Sequence, residues 1–565
     1  MTSEWKQFIE SLDGSNREWS NSIDLTALAQ LQGAELERAI QLLLERLSLG
    51  SPRVSRALGA LGDPRMRPAL EAHSPLATGA DRAATAAALV NGCSDASDGD
   101  DKSPDPASPE PEDTQVTWHA DIAPIVKEKC ARCHQEDGIA PFSMQEYASA
   151  KPWASAMADA VEQGRMPPFL AQDTENCKPR LPWYEDLRLS PEQKTLFRRW
   201  AKAGAPETPG VASVRIEAPS ASKLEREDVV IRLPEPIVVD GSKDLHTCVV
   251  VDPGLEKDSY VVGRNATAGN AKVLHHLISY VIEPGTLPDG TPRDKAQLEA
   301  AVREARGIGI GGRYDCFGGT ALSGIATTML SGWAPGVEPN IAPSGSAQFV
   351  DKDSLVLLDI HYHPTGEAQT DSDTNVSLML TDERPRLISQ IVLLGNASEE
   401  RKEYERGISE LFKQPGESKA EFVIPADVSD HVEEMAWTWK LNDDFEFKLY
   451  ATGTHMHYVG RDMRVKLEHA GTTGSDREEC LIETPQWDFN WQRGYGYDAQ
   501  LEELPVIKNG DKIHMHCEYD NTMQNRFVAQ ALHERGMDAP VEVKLGEDTL
   551  DEMCLAGVGV IAPNL

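Results

Sequence analysis

From about residue 225 to its end, the chain consists of short runs in which apolar and polar residues alternate, and Pro and Gly interrupt the runs. Examples are DVVIRLPEPIVV, KVLHHLISYVIEP, DSLVLLDIHYH and FEFKLYATGTHMHYV. Alternation with a period of two turns one face of each strand toward a core, and frequent turns favour antiparallel neighbours. The pattern predicts antiparallel β sandwiches. The region is too long for one sandwich, so we predict two, over residues 225–395 and 396–565.

The part of the chain before residue 225 has a different texture. ELERAIQLLLERL (35–47) has apolar residues at helical spacing, so residues 1–90 are predicted to be helical, either as HEAT-like units or as a small bundle. Residues 91–115 are rich in acidic residues, Pro and Ser, which predicts a disordered linker. Residues 116–210 are predicted to be a helical domain. The expected fold class is therefore multidomain and mainly β, with a helical domain and a helical N-terminal segment.

Charge and hydropathy exclude some functions. The chain has 55 Lys and Arg against 91 Asp and Glu, a net charge of −36, which argues against nucleic-acid binding. No run of 18 apolar residues exists, so no transmembrane helix is expected. The first 30 residues show no basic stretch followed by an apolar one, so no secretory signal is visible. Cys93, before the acidic linker, is either a lipid-anchor site or an incidental cysteine.

The sequence Cys130-Ala-Arg-Cys133-His134 is a C-x-x-C-H motif. This is the attachment pattern of a c-type haem, in which the two thiols bond the haem and the histidine coordinates its iron. A dithiol redox pair and half of a zinc site are the alternatives, but the next 40 residues offer no second Cys/His pair for zinc. We predict one covalently bound haem c in residues 116–210.

A sixth iron ligand is expected downstream of this motif. Met166, in EQGRMPPFLA, is favoured because two prolines follow it and would fix its loop. Met144 and Met157 compete for this role, although Met157 sits in a helical pattern that is more typical of a core residue. Trp200 lies on a C-terminal helix of the kind that closes a small cytochrome c.

Twelve of the fifteen histidines lie after residue 225. They form four groups, which are His275-His276, His361-Tyr-His363, His455-Met-His457 and His514-Met-His516. Residues i and i+2 of a strand share a face, so an H-x-H pair can reach one metal ion. Adjacent histidines can do so only where the strand twists or bulges. One such pair is usually a solvated strand face, but four groups in one β region indicate imidazole-rich sites for copper or zinc.

The motifs LHHLI, DIHYH, GTHMHYVG and DTLDEMCLAG, in this order, resemble those of the copper type II, ascorbate-dependent monooxygenases. That family includes peptidylglycine α-hydroxylating monooxygenase and dopamine β-monooxygenase. The likeness covers roughly residues 240–565. It implies two tandem jelly-roll sandwiches, each contributing one copper ion. The RMPP and DFNWQ phrases (165–168 and 488–492) are similar to those of a bacterial branch with a fused c-type haem domain.

The resemblance also implies the ligand sets. The electron-storing copper would be bound by His275, His276 and His361. The oxygen-binding copper, at the catalytic site, would be bound by His455, His457 and the thioether of Met553. A soft sulfur beside two imidazoles favours Cu(I), the state that meets O2. From the residues alone, Met553 would be a core methionine.

Two disulfides follow from the same resemblance, Cys248 with Cys316 and Cys517 with Cys554. Cys177 and Cys480 are left over and are expected to be free or locally paired thiols. His363, His514 and His516 have no counterpart among the six ligands and are expected to be structural or to support the ligands.

Three positions depart from the peptide-amidating members of the family. Where those enzymes place residues that hold a substrate carboxylate, this chain has Gly453, Leu555 and Gly557. None of these side chains can hydrogen bond a carboxylate. The substrate is therefore expected to be small and neutral or hydrophobic rather than a glycine-extended peptide.

The predicted function is C–H hydroxylation with O2, with electrons from an external donor relayed through the haem to the copper ions. The alternative is a non-enzymatic electron-transfer or copper-handling protein. A zinc hydrolase is a third interpretation, disfavoured because no H-E-x-x-H arrangement is present, although Asp359 lies near His361. Haem attachment and disulfides require an oxidising compartment, so the periplasm or the cell surface is expected despite the missing signal.

Overall fold

The structure, a computed structural model, describes residues 38–40, 43, 115–136, 138–218, 223–241, 243–316, 320–442, 445–474, 477–546 and 550–564. The chain divides into two compact units, residues 1–115 and 116–565. In the first unit residues 38–40 and Leu43 are helical, and Ala39, Ile40 and Leu43 are buried. The rest of the predicted helical segment, the acidic linker up to residue 114, and Cys93 lie outside the described residues. No helix in the described ranges is both long and apolar enough to cross a membrane.

Residues 116–218 contain four α-helices. They are α1 (Ala123–Lys129), which continues a π-helical turn (Trp118–Ile122), α2 (Tyr147–Ala150), α3 (Ala154–Glu162), which follows a 3-10 turn (Lys151–Trp153), and α4 (Pro191–Lys202). α4 begins at a capping box in which Ser190 and Gln193 satisfy each other's backbone N–H groups. The indole rings of Trp118 and Trp200, both fully buried, lie 5.4 Å apart and centre the core of this helical segment.

Residues 229–395 form thirteen strands and one helix. The strands are β1 (Val229–Arg232), β2 (Ile237–Val239), β3 (Leu245–Val251), β4 (Ser259–Thr267), β5 (Leu274–Ile282), β6 (Arg313–Asp315), β7 (Thr327–Trp333), β8 (Asn340–Ile341), β9 (Ser346–Val350), β10 (Leu355–Tyr362), β11 (Gln369–Asp371), β12 (Asn375–Thr381) and β13 (Leu387–Gly395). Helix α5 (Lys295–Arg306) begins at Asp294, whose carboxylate accepts a hydrogen bond from Gln297 N, and ends at Gly307, whose φ is 73°.

Residues 402–563 form twelve further strands and one helix. The strands are β14 (Lys402–Tyr404), β15 (Gly407–Leu411), β16 (Val423–Ile424), β17 (His431–Trp439), β18 (Phe447–His455), β19 (Gly460–Glu468), β20 (Glu478–Thr484), β21 (Tyr495–Gly496), β22 (Val506–Ile507), β23 (Lys512–Tyr519), β24 (Val543–Lys544) and β25 (Leu555–Pro563). Helix α6 spans Arg526–Glu534, and 3-10 turns span Phe489–Trp491 and Leu501–Glu503.

These strands build four sheets, so the prediction of a mainly β chain is confirmed. The largest sheet has 15 strands, with a central order β1-β12-β4-β9-β13-β7-β5-β10-β3-β6. A six-stranded sheet has the order β14-β15-β17-β23-β19-β20, and β2/β11 and β16/β24 form two small sheets. The large sheet is continuous across residue 395, because β13 pairs with β25 from Leu387 to Gly395 and β25 also pairs with β18.

Strand register brings distant histidines together. His361 on β10 lies opposite His276 on β5 and opposite His246 on β3. The register of β5 shifts beside His276, so that Tyr362 pairs with Leu274 and His275 is left over as a β-bulge. Adjacent residues of a regular strand point to opposite faces, and this bulge allows His275 and His276 to turn toward one point.

Candidate metal centres

Three histidines, His275, His276 and His361, form a buried cluster that we call the histidine trio. The Nδ1 atom of His276 lies 3.4 Å from Nδ1 of His275 and 3.4 Å from Nδ1 of His361. Each ring is at most 6 % exposed. Two imidazole nitrogens that each lie about 2.0–2.1 Å from one tetrahedral metal ion, the distance usual for zinc, would be about 3.4 Å apart. The trio therefore fits a metal ion held by three imidazoles.

The protonation of the trio favours metal binding. Burial lowers the pKa of His275 and His276 well below the usual histidine value, and the neighbouring His361 lowers it further. The rings are neutral at neutral pH, so each offers a lone pair. Nε2 of His361 donates a hydrogen bond to a carboxylate oxygen of Asp244 at 3.0 Å. Nδ1 of His361 is therefore the nitrogen left for the metal ion.

His246 is a fourth histidine at this site that the sequence motifs did not single out. Its half-buried ring stacks on His361 with centroids 4.0 Å apart and an interplanar angle of 15°. Burial lowers its pKa well below the usual value, and His361 adds to that effect. Only the pairing of β3 with β10 reveals it, because a single histidine in the run LHTCVV carries no signal of its own.

The second cluster consists of His455 and His457, whose ring centroids lie 5.3 Å apart. Nδ1 of His455 donates to Oε1 of Gln492 at 2.6 Å, and Nδ1 of His457 donates to the carbonyl oxygen of Asp551 at 3.1 Å. Each ring therefore presents Nε2 as its acceptor. Nε2 of His455 is buried and has no hydrogen-bond partner among the described residues. Burial lowers the pKa of His455 to about 4, so this nitrogen carries a lone pair at neutral pH.

Met553 belongs to the segment that holds His457 in place. Its neighbour Glu552 is fully buried and accepts hydrogen bonds from the backbone N–H groups of His457, Val459 and Met553. Met553 is 4 % exposed, and Tyr519 donates its hydroxyl proton to the Met553 carbonyl at 2.9 Å. The pairing of His455 with Leu555 puts Met553 just before the strand that lies beside this histidine pair.

A short segment, residues 488–492, connects the two clusters. The Phe489 ring lies 6.4 Å from His276, 6.3 Å from His361 and 6.2 Å from His457, measured between centroids. Trp491 lies 5.6 Å from His275, and Gln492 fixes His455. The DFNWQ phrase therefore touches the histidine trio on one side and the histidine pair on the other, and the two clusters are neighbours across one aromatic ring.

A cavity of about 130 Å³ opens between the clusters. Both His276 and His455 line it, and so do Gly453, Leu555 and Gly557, the three positions that distinguish this chain from peptide-amidating enzymes. Its other apolar lining residues include Ile278, Met329, Trp333, Ile391 and Leu393. Arg493 also lines the cavity, but its guanidinium lies over the rings of Phe169 and Tyr495 at 5.1 and 5.4 Å. The cavity is largely apolar.

The C-x-x-C-H motif follows α1. Cys130 and Cys133 are free thiols, whereas the other described cysteines are all in disulfides. Nδ1 of His134 lies 3.0 Å from the carbonyl oxygen of Phe142, to which it donates, so Nε2 is the nitrogen left for iron. Met166 lies at the edge of the same core as Cys130 and Phe142, while Met144 and Met157 are buried inside it. These residues fit a covalently attached haem.

Of the three remaining predicted histidines, one lies beside the histidine trio and two lie on the six-stranded sheet. His363 is exposed and its Nδ1 lies 2.9 Å from Asp244, so it shares the carboxylate that orients His361. His514 pairs with Glu468 at 2.7 Å and His516 with Glu434 at 2.9 Å, on the six-stranded sheet. Asp359 lies beside Cys316, but the disulfide removes both cysteines of that group as metal ligands.

Three disulfides join six of the described cysteines. Cys248 is bonded to Cys316 and Cys517 to Cys554, the two pairs that the resemblance implied. The expectation that Cys177 and Cys480 are free or locally paired is wrong, because they are bonded to each other across 303 residues. The physical reason is that residues 169–184 run along the second β region, where Gln172 N donates to Glu483 O at 3.0 Å and brings Cys177 to β20.

Comparisons with known proteins add little. No family model and no curated protein match the chain. Among the solved structures that match is one described as the structure of infectious bursal disease virus Gt strain, at 9 % identity over 60 % of this chain and 73 % of that chain. Its TM-score of 0.12 is too low to carry any argument about fold or function.

Proposed function

We propose that the chain is a copper-dependent monooxygenase that hydroxylates a C–H bond of a small, neutral or hydrophobic substrate. The observation that carries this proposal is that two histidine clusters lie at one largely apolar cavity, with His276 and His455 both on its wall. The balanced reaction joins O2, a C–H bond, two electrons and two protons into C–OH and water. We also propose that the two β regions are jelly-roll sandwiches and that residues 116–210 are a cytochrome c-like domain.

A separate set of residues would hold each copper ion and the haem. His275, His276 and His361 would hold one copper ion, and His455, His457 and Met553 would hold the other. When bound, the copper ions would supply electron storage and O2 activation, and a haem on Cys130, Cys133 and His134, with Met166 as its sixth ligand, would supply single electrons.

The protein's own contribution is positioning and exclusion of water. Asp244, Gln492 and the Asp551 carbonyl fix which ring nitrogen each histidine presents. The apolar wall excludes water from the cavity and would hold the substrate C–H bond near His455. Gly453 lines the cavity without a side chain, and a β carbon there would lie in van der Waals contact with Arg493 O at 3.5 Å.

Three disulfides and a haem attachment motif support an oxidising compartment. We propose the periplasm or the cell surface as the location, with an external donor that reduces the haem.

The test is haem reoxidation coupled to substrate oxidation. Pre-reduced holoprotein is mixed with 18O2 and ethylbenzene or cyclohexane, and the haem spectrum and products are followed. With the haem and both copper ions reduced beforehand, we expect haem reoxidation only when copper and O2 are both present, and an alcohol that carries one 18O atom. Unchanged haem reoxidation in the His275→Ala/His276→Ala variant would refute the relay. Reoxidation with release of copper and no O2 uptake would favour the copper-handling alternative.

A further inference from the structure

The loop that carries the haem motif touches a turn of the first β region, residues 334–338. Sγ of Cys133 lies 3.7 Å from the carbonyl oxygen of Pro335, and Nη1 of Arg132 donates to the carbonyl oxygen of Gly336 at 3.2 Å. The same Nη1 lies 2.5 Å from a carboxylate oxygen of Glu338, whose side chain is only 9 % exposed. A half-buried ion pair therefore joins the haem motif to this turn.

The shape of the turn allows a close approach. Val337 N donates to Ala334 O at 3.1 Å, and Gly336 has a φ of 84°, in the left-handed region that favours glycine. A β carbon at Gly336 would lie 3.4 Å from Sγ of Cys133. The backbone of the turn is thus in contact with a thiol that would bond the haem.

The turn continues directly from the wall of the histidine trio. Trp333, three residues before Gly336, ends β7 and pairs with Leu277 on β5. Leu277 follows His276 in the chain, and Trp333 and His276 both line the cavity. The path from Cys133 to His276 therefore runs through the contact with Pro335, along the backbone to Trp333, and across the pairing of β7 with β5.

The helical segment is also fixed on its other side. Phe169 and Trp183 are buried with the core of the second β region, and Cys177 is bonded to Cys480. Arg180 pairs with Glu479 of β20 at 2.5 Å. The helical segment therefore contacts both β regions, through Arg132 and Cys133 at residues 334–338 and through residues 169–184 at β20.

We propose that the Arg132–Glu338 ion pair docks the haem motif on residues 334–338, and that this turn is the route by which electrons pass from the haem to the histidine trio. The inference rests on the proposed function. With both groups bound, each transfer would oxidise one haem iron from Fe(II) to Fe(III) and reduce one copper ion from Cu(II) to Cu(I), and Arg132 and Glu338 would only hold the motif against the turn.

The experiment needs no substrate and no O2. The haem of the holoprotein, with oxidised copper, is reduced by a light pulse under argon, and its reoxidation is followed by absorbance. We expect Glu338→Arg to slow reoxidation about tenfold, which corresponds to about 1.4 kcal/mol of activation free energy. The Arg132→Glu/Glu338→Arg swap should restore the rate. Haem midpoint potentials are measured for each variant so that changes in driving force are corrected.

A second readout does not depend on metal. Amide hydrogen exchange of residues 334–338 should become faster in Glu338→Arg and return to the wild-type rate in the swap. Arg180→Glu is the matched control, since it breaks an ion pair between the same segment and the other β region, and it should leave both readouts unchanged. Wild-type kinetics and exchange in Glu338→Arg would overturn the route. Absence of anaerobic reoxidation in the wild-type protein would instead overturn the proposed function.

Discussion

Single hydrogen bonds decide which ring nitrogen each histidine presents. In the trio, Asp244 accepts a hydrogen bond from Nε2–H of His361 and leaves Nδ1 as the unprotonated nitrogen. In the pair, the Gln492 side chain and the Asp551 carbonyl accept hydrogen bonds from the Nδ1–H groups and leave Nε2 unprotonated. The sequence showed the histidines but not these partners, because Asp244 is 117 residues from His361 and Gln492 is 37 from His455. A strand pattern carries no information about contacts at such separations.

Asp244→Asn should weaken copper binding at the histidine trio. The amide accepts a weaker hydrogen bond from His361 and can turn its NH2 group toward the ring, and loss of such a partner typically costs 10–100-fold in metal affinity. Competition with a copper chelator measures the effect. His363→Ala, which removes the other histidine on this carboxylate, is the control and should bind copper as the wild type does. Equal affinity in Asp244→Asn and the wild type would contradict this role.

Asp462 gives a pH-dependent prediction. Burial raises its pKa to about 6, and the carboxylates of Glu483 and Glu518 add to the rise. The folded state holds this proton more tightly than the unfolded state, so its contribution to stability is present below about pH 3.9 and is lost as the pH rises through about 6.

Asp462→Asn should therefore raise the denaturant midpoint at about pH 7.5, where wild-type Asp462 is charged, and leave it unchanged near pH 4. Urea unfolding without reductant, followed by tryptophan fluorescence, measures both. Glu421→Gln removes one exposed carboxylate and should show no such pH-dependent gain. A gain of the same size at both pH values would show that charge at Asp462 is not the cause.

At the scale of elements, strand alternation predicted the β structure, whereas the register between strands determines which histidines lie together. The period-two runs indicated β structure, but β18 ends at His455, so His457 lies just beyond the strand and not on its face. The bulge at His275 and the pairing of His361 with His246 depend on which strands are neighbours, which a single sequence does not state. The ligand sets came from the resemblance and not from periodicity, and Met553 would have been assigned to the core without it.

Phe489 contacts both histidine clusters, and this gives a testable prediction. Phe489→Leu keeps an apolar side chain but removes the ring that contacts His276, His361 and His457. We expect both copper signals in the electron paramagnetic resonance spectrum of oxidised protein to change together. Phe527→Leu is the control, because Phe527 stacks on Tyr458 and should leave the signals intact. A change confined to one signal would show that the ring does not serve both clusters.

At the scale of the whole molecule, the β regions and the helical segment are one connected structure. The sheet runs across residue 395 through β13 and β25, and the Cys177–Cys480 disulfide joins the helical segment to β20. The sequence could not predict this disulfide, because cysteines 303 residues apart share no local pattern. Its partners become neighbours only once residues 169–184 lie along the second β region.

Cys177→Ser/Cys480→Ser should loosen that connection. Removal of a native disulfide typically costs about 2–5 kcal/mol. We expect a lower denaturant midpoint and faster hydrogen exchange in residues 169–184, with the copper content unchanged because no copper ligand is touched. If exchange in these residues matches the wild type, the segment is held by its other contacts alone.

The central claim is that one chain holds two copper sites and one haem. Holoprotein purified under oxidising conditions is analysed for metals by mass spectrometry and for haem by the pyridine haemochrome spectrum. The account predicts two coppers and one haem per chain, with one copper lost in His275→Ala/His276→Ala and the other in His455→Ala/His457→Ala. Zinc in place of copper, or a full copper content in either double variant, would contradict it.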